Sequence, residues 1–464
     1  MILYDKKKIQ YGNLIFDSKA LRRLLIPLMI EQLLNTFMGM ADTVMVSRVG
    51  SAAISAVSLV DSVNVLFIQV FSALAAGATI LCSFYIGRND NRRAARAAEQ
   101  VNQSLLVIAF VIMILCLVFN RPLLSLVFGQ VEPDVMASSR VYFYITAVSY
   151  PFLALSNSGS AFYRAGGESA FPMRISVLCN LMNIVGNAVL IFGLGWGVAG
   201  AALATLFSRA ANGIILTLFL RRDRQPIVLR RYLVRPDWPT IGNVLAIGIP
   251  SGIENGMFQF GKLAIQSSIS TLGTVAIAAQ AMTILLESLN GVAGIGIGIG
   301  LMTVVGQCMG AGRKEEAKYN IVKLTALSEV VVTICCVLVY ALTGPITSLA
   351  GMEPRAAQMC RDMMLFVTLM KPLVWVLSFI PAYGLRAAGD VKFSMLVSTV
   401  TMWTVRVLTA IVLIRVFHVG AIACWIGMAA DWTVRAFIFS WRYLSMRWTK
   451  QEIVKETGGI SLKS

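Results

Sequence analysis

The stretch LIPLMIEQLLNTFMGMADTVMVSRVG, residues 25–50, decides how this chain is read. It is apolar over more than the roughly 20 residues that cross about 30 Å of hydrocarbon. Yet it carries Glu31, Asn35 and Asp42. In water such residues need no comment. At the middle of a membrane helix a charged group costs about 2.5–3.5 kcal/mol on insertion scales, so the first question is whether the segment lies in lipid. Composition answers it. Of 464 residues, 57% are apolar and only 14% are charged, against about 25% charged in soluble domains. Stretches long enough to span recur twelve times, at 24–47, 57–82, 101–119, 141–162, 172–194, 198–220, 243–268, 276–305, 321–343, 361–384, 393–416 and 419–441. The expected fold class is therefore all-α and integral to a membrane, with twelve transmembrane helices and no room for a soluble catalytic domain.

The opening stretch returns. Pro27, Ile30, Glu31, Phe37, Ala41, Ser47, Gly50, Ala53, Ile54, Ala56, Gly77 and Gly87 are each repeated 223 positions later, from Pro250 and Glu254 to Gly310. A second match, RAGGESAFPM from Arg164 with RAAGDVKFSM from Arg386, is offset by one residue fewer. Each half holds six spans. An even number starts both halves on the same face, so the two six-helix repeats are expected to be parallel, an arrangement of transporters that rock two bundles about a central cavity. The domain boundaries follow: an N-terminal bundle over 1–220, a basic linker over 221–242 with Pro226, Pro236 and Pro239, and a C-terminal bundle with a tail over 243–464.

The net charge of +17 raises the question of nucleic acid, and its distribution answers it. The runs Lys6-Lys7-Lys8, Arg88/Arg92/Arg93/Arg96, Arg221/Arg222/Arg224/Arg230/Arg231/Arg235 and Arg313/Lys314/Lys318 all fall on one side of the predicted spans. That is a positive-inside bias, which places both termini in the cytoplasm of a multi-pass cell-membrane protein. Anionic membrane lipid is a second partner for such loops; nucleic acid is not expected. No cleavable signal peptide is expected, since the first apolar run is too long for one. The eight cysteines show no metal-ligand spacing and read as reduced packing residues.

Polar residues at helical spacing mark where hydrocarbon is avoided. At 100° per residue, Glu31, Asn35, Gly39 and Asp42 share one face of the first span, and Asn180, Asn183 and Asn187 share one face of the fifth. A carboxylate with amide oxygens beside it suits a hard cation such as Na⁺, or a proton on the carboxylate itself. Hydrogen bonding between helices as packing glue is the competing role for the asparagines. In the second half, Glu254, Asn255, Gln259 and Lys262 mark the seventh span, and Glu287 and Asn290 the eighth; Glu31, Asn35, Glu254, Asn255, Gln259, Glu287 and Asn290 are the candidate lining of a substrate cavity. Lys262 is a candidate partner for Glu287. Asp431 and Arg435, four apart, with Arg406, read as a structural ion-pair network, and Glu329 stands alone. The run GVAGIGIGIG, residues 291–300, sits inside an apolar span, so it reads as close helix packing rather than a phosphate loop.

The opening stretch, continued through SAAISAVSL to residue 59, resembles the first helices of the multidrug and toxic compound extrusion (MATE) transporters. So do VVGQCMGAGRKEEA after the eighth span, YRAGGES and LRAAGD after the fourth and tenth, and GWGVAGAALAT before the sixth. The resemblance covers essentially the whole chain. It implies two bundles forming a V-shaped cavity, and export of organic, often cationic compounds in exchange for Na⁺ or H⁺. The family's first-helix aspartate falls on Asp42, and its fifth-helix pair on Asn183 and Asn187; the second position of that pair is an acid in one branch and an amide here. Asn187 can coordinate Na⁺ but cannot carry a proton. Another branch's seventh-helix glutamate has an approximate counterpart in Glu254, and its tenth-helix acid has none, so the choice between Na⁺ and H⁺ stays open. The expected activity is antiport by alternating access, with Asp42, Asn180, Asn183 and Asn187 coupling the cation, no cofactor beyond that ion, small organic substrates, and a monomeric chain. The rivals are a lipid-linked saccharide flippase, for which Arg209, Lys262 and Arg406 are few and scattered, an intramembrane enzyme, for which the single histidine, His418, offers no partner, and a channel, for which no filter motif is seen.

Overall fold

The computed structural model describes residues 4–129, 132–222, 226–451 and 453. Arg224 of the linker and the tail from 454 onward lie outside them. Each predicted span falls on helix, although the fourth is interrupted at Ser149 and the twelfth becomes helical only at Ala423. The helices are α1 (Ser18–Ser47), α2 (Ser51–Gly87), α3 (Asn91–Val118), α4 (Asn120–Phe128), α5 (Pro133–Val148), α6 (Tyr150–Ala165), α7 (Ala170–Asn187), α8 (Gly197–Phe219), α9 (Trp238–Ile269), α10 (Thr274–Gly310), α11 (Lys314–Leu349), α12 (Pro354–Met370), α13 (Val376–Ala387), α14 (Val391–Thr401), α15 (Leu408–Arg415) and α16 (Ala423–Leu444). Three wider π turns, Ala188–Gly193, Lys371–Trp375 and Met402–Val407, extend α7, join α12 to α13, and join α14 to α15. Among the described residues there is no strand. Among the described residues nine helices are long and apolar enough to cross a membrane. The three remaining spans are the ones interrupted at Ser149, between α5 and α6, and the polar-faced α9 and α16. The chain is a multi-pass membrane protein.

One of the π turns adds a residue to the second repeat. In the first half, Tyr150-Pro151 precedes Arg164 by fourteen positions; in the second, Lys371-Pro372 precedes Arg386 by fifteen. The extra residue is taken up by the turn at Lys371–Trp375, because a π turn holds one more residue than an α turn without breaking the helix.

The described chain packs as two compact units. One is Leu34–Gly252. In it the first half of α9 lies close against α2: a Cβ on Gly77 would stand 3.1 Å from the carbonyl of Val244. The linker is tied along α3. Gln100 Nε2 donates to the Arg235 carbonyl at 2.7 Å, Gln103 accepts from the Val234 amide at 2.8 Å, and Glu99 accepts from the amides of Arg230 and Arg231.

The other unit takes in the chain up to Leu33 together with Ile253–Ile453. Here the glycine run of α10 is a contact face on two sides. A Cβ on Gly298 would meet the Tyr383 ring at 2.5 Å, and one on Gly296 would meet the backbone of Met29 in α1 at 3.0 Å. The packing units and the sequence repeats therefore differ. The first half of α1 packs with the C-terminal repeat, and the first half of α9 with the N-terminal one. Pro27 and Pro250, which lie inside these half-helices, each remove a helical N–H donor shortly before the chain changes unit. The eight cysteines are free, and all but Cys335 are buried.

Candidate functional site

In the Leu34–Gly252 unit, α7 presents Ser176, Asn180, Asn183 and Asn187 at spacings of three and four, so they stack along one face. The second half of α1 meets this face. Asn187 Nδ2 donates to Asp42 Oδ1 at 2.7 Å and to Asn183 Oδ1 at 3.2 Å. Asn183 Nδ2 donates in turn to Thr205 Oγ1 of α8 at 3.3 Å. One turn lower, Asn180 Nδ2 and Ser176 Oγ reach Asn35 Oδ1 at 3.2 and 3.4 Å. Thr205 can come this close because Gly186 of α7 faces Ala204 of α8, where an added Cβ would stand 3.1 Å from the alanine's. Asn183 and Asn187 are 0% and 1% exposed, while Asp42 is half-buried and Asn35 exposed. The structure thus brings together Asp42, Asn35 and the three asparagines of α7.

A second carboxylate escaped the sequence reading. Asp61 of α2 accepts from Asn64 Nδ2 at 3.1 Å and from Tyr142 Oη at 3.3 Å, and Tyr150 Oη donates to Asn64 Oδ1 at 2.7 Å. Arg209 of α8 donates to Ser149 Oγ at 2.9 Å, at the interruption between α5 and α6. Asp61 and Arg209 are the two charged groups whose fields reach Asp42. The signal for Asp61 was present, since LVDSVNV places a carboxylate three residues before an asparagine in an apolar span. The group as a whole holds two carboxylates and one guanidinium, a net charge of −1.

This donor set fits a hard cation. Its oxygens are carboxylate, amide and hydroxyl, the types that Na⁺ and other hard ions take. Asn187 Oδ1 is buried with no hydrogen-bond donor in reach among the described residues. An amide turned about its terminal bond exchanges donor for acceptor, so Asn187 can offer Asp42 a hydrogen bond or offer a cation its oxygen. Among the described residues no three His, Cys, Asp or Glu side chains gather as a metal-ligand cluster.

The remaining candidates belong to the other unit. Glu31 is buried there. Buried Glu254 accepts from Arg386 Nη2 at 2.6 Å and has Arg435 Nη2 at 3.9 Å. Arg406 Nε and Arg435 Nη1 stand 3.3 and 3.8 Å from Asp431, and Arg435 also donates to Ser398 Oγ at 2.8 Å. Glu254, Arg386, Asp431, Arg435 and Arg406 therefore form one ion-pair network. Glu287 makes its direct ion pair with Lys371, at the start of the π turn, rather than with the expected Lys262. Asn290, one turn above Glu287, is buried with neither amide atom hydrogen-bonded among the described residues. Asn255 and Gln259 are partly buried, and His418 is exposed in the loop before α16.

Comparison with known proteins gives the same two-part plan. The MatE family profile matches residues 27–189 and 250–412, two segments that begin 223 positions apart. A probable multidrug resistance protein, NorM, of Thermotoga maritima is 28% identical over 449 residues, covering 95% of this chain and 96% of its own. A probable multidrug resistance protein, YoeA, of Bacillus subtilis is 24% identical, with 94% and 95% covered. The solved structure of a MOP superfamily transporter from Pyrococcus furiosus, described by the reverse polarity of its binding pocket, shares the fold with a TM-score of 0.85 at 21% identity, over 94% of this chain and 97% of that one. With both repeats matched and nearly the full length shared, the chain belongs to the MatE family of membrane transporters.

Proposed function

We propose that this transporter is a secondary antiporter of the cell membrane, with both termini cytoplasmic, which exports small organic, mainly cationic compounds in exchange for Na⁺ or H⁺. The observation that carries the reading is the bond from buried Asn187 to Asp42, inside a group of net charge −1. In that setting a cation or a proton at Asp42 changes both the local charge and the orientation of the amide chain through Asn183 to Thr205. Binding then favours one arrangement of α1, α7 and α8, and a substrate that favours the other is exchanged against the ion. Two relatives named as probable multidrug resistance proteins supply the substrate class. A flippase would need a cluster of free cations for a diphosphate, whereas Arg406 is ion-paired, Arg209 is hydrogen-bonded and Lys262 is a single exposed cation. The chain is read as a monomer that performs no chemistry on its substrate.

The test is ethidium uptake into proteoliposomes under Na⁺ and H⁺ gradients imposed separately. One gradient is expected to drive uptake, and Asp42→Asn to abolish it while the protein elutes as wild type on size exclusion. Ion-driven uptake that survives Asp42→Asn refutes the assignment.

A further inference from the structure

Between α11 and α16 lies a cavity of about 520 Å³ that shares no residue with the Asp42 group. Both helices pack on α13 and on the π turn at Lys371–Trp375, with little packing on each other, so α13 and that turn form the cavity's back wall. Ile321, Leu373, Leu377 and Leu444 make its walls mostly apolar, and Glu329 supplies its one charge. We propose that this cavity is a binding site for an amphiphilic organic cation, with the cationic head against Glu329 and the apolar body filling the space between α11 and α16.

Three observations carry the assignment. Glu329 is the only charged residue in the run Leu324–Leu342, where hydrocarbon makes a carboxylate costly unless something answers it. Among the described residues no hydrogen bond or ion pair reaches its carboxylate; the one side-chain bond at this position runs from Thr333 Oγ1 to the Glu329 backbone carbonyl. Lys323, the nearest basic residue on α11, lies about 120° away around the helix, with its amine over the Tyr319 ring. The volume suits a drug-sized molecule, for which pockets of about 300–1,000 Å³ are usual. The depth separates a free amphiphile from a lipid headgroup. Glu329 lies six residues beyond the last basic side chain, about 9 Å along the axis, and a headgroup ammonium would have to leave the interface to reach it.

The probe is a photoreactive aryl derivative of tetraphenylphosphonium, applied to the full-length protein in nanodiscs and mapped by peptide mass spectrometry. Cross-links are expected within 321–329 and 372–377. Glu329→Gln should raise the half-saturating concentration at least about tenfold. Leu377→Trp, which fills the cavity and leaves the charge in place, should abolish the same cross-links, and Asp42→Asn should label as wild type. An uncharged phosphine oxide of the same shape should label weakly. The proposal is overturned by unchanged half-saturation in Glu329→Gln, by equal labelling with the phosphine oxide, by adducts confined to other helices, or by a lipid with an ammonium head retained at this site in native mass spectra.

Discussion

Replacing Asp431 by Asn tests the buried network in the unit built on the C-terminal repeat. Among the described residues the network holds two carboxylates, Glu254 and Asp431, and three guanidiniums, Arg386, Arg406 and Arg435, for a net charge of +1. Asp431 and Arg435 are 0% exposed and Arg406 4%. Asp431→Asn leaves Arg406 with no carboxylate within 4 Å and Arg435 with only Glu254, 3.9 Å away. Breaking a buried pair from one side costs about 3–5 kcal/mol, because the surviving charge stays desolvated. Arg435→Met is expected to behave differently. It spares the two shorter contacts, Arg386–Glu254 at 2.6 Å and Arg406–Asp431 at 3.3 Å. It removes the bond to Ser398 and the stacking on Phe379, whose ring centre is 4.5 Å from the guanidinium, for a loss of about 1–2 kcal/mol. The double variant returns the local charge to +1, so its cost should fall short of the sum of the single costs by at least about 1.5 kcal/mol. Unfolding in mixed micelles with increasing SDS, followed by tryptophan fluorescence, measures all three. A loss under about 1 kcal/mol for Asp431→Asn, or additivity within about 0.5 kcal/mol, refutes the reasoning.

Gly296→Ala places a methyl 3.0 Å from the Met29 backbone, which cannot swing aside, and should cost about 1–3 kcal/mol in the same assay; Gly256→Ala, with nothing within 4 Å, is the control and should be neutral or slightly stabilising. Lys371→Met strands the partly buried Glu287 and should lose about 1–3 kcal/mol, much of it recovered on adding Glu287→Gln, as unfolding of the pair of variants will show. Asn187→Ala removes the donor that stabilises the ion-free Asp42 carboxylate; a hydrogen bond to a charged group is worth about 1.5–3 kcal/mol, so the apparent affinity for a driving proton in the uptake assay should rise about 10- to 100-fold, whereas a fall in affinity for Na⁺ marks the amide oxygen as its ligand and unchanged affinity removes Asn187 from the ion path.

The fold was legible because lipid forces it into the sequence. Hydrocarbon admits backbone only as helix or closed barrel, so run length located the spans, and the 223-residue offset located the halves. Side-chain partnerships were legible only where one helix face carried the whole signal. The α7 asparagines are such a case, since four residues make nearly one turn. Period alone did not say which neighbour that face would meet; the link from Asp42 to Asn187 came from family resemblance. Asp61 went unread although it had the same mark as Asp42, a carboxylate in an apolar span. Lys371 went unread for a different reason. A count of 100° per residue fails across a π turn, and Lys371, at the start of that turn, is the residue that pairs with Glu287.

The two units treat buried carboxylates in opposite ways, and that contrast bears on where an exchanging ion acts. Glu254 and Asp431 are answered by guanidiniums, with a cationic excess. At 4 Å and an effective dielectric constant of 20, one such unit-charge contact is worth about 4 kcal/mol. A Na⁺ approaching Glu254 would have to displace Arg386 at 2.6 Å against an attraction of that order. Asp42 is answered by an amide instead, and the charges near it, Asp61 and Arg209, leave the group at −1. An amide dipole lowers the cost of burying the carboxylate without cancelling its charge, so the field that draws a cation survives. An acid at position 187 would deepen that field and add a second protonatable group. The amide found there keeps one carboxylate in the chain of hydrogen bonds that reaches Thr205, and under the proposed antiport it would confine the ion's influence to a step that Asp42→Asn removes entirely.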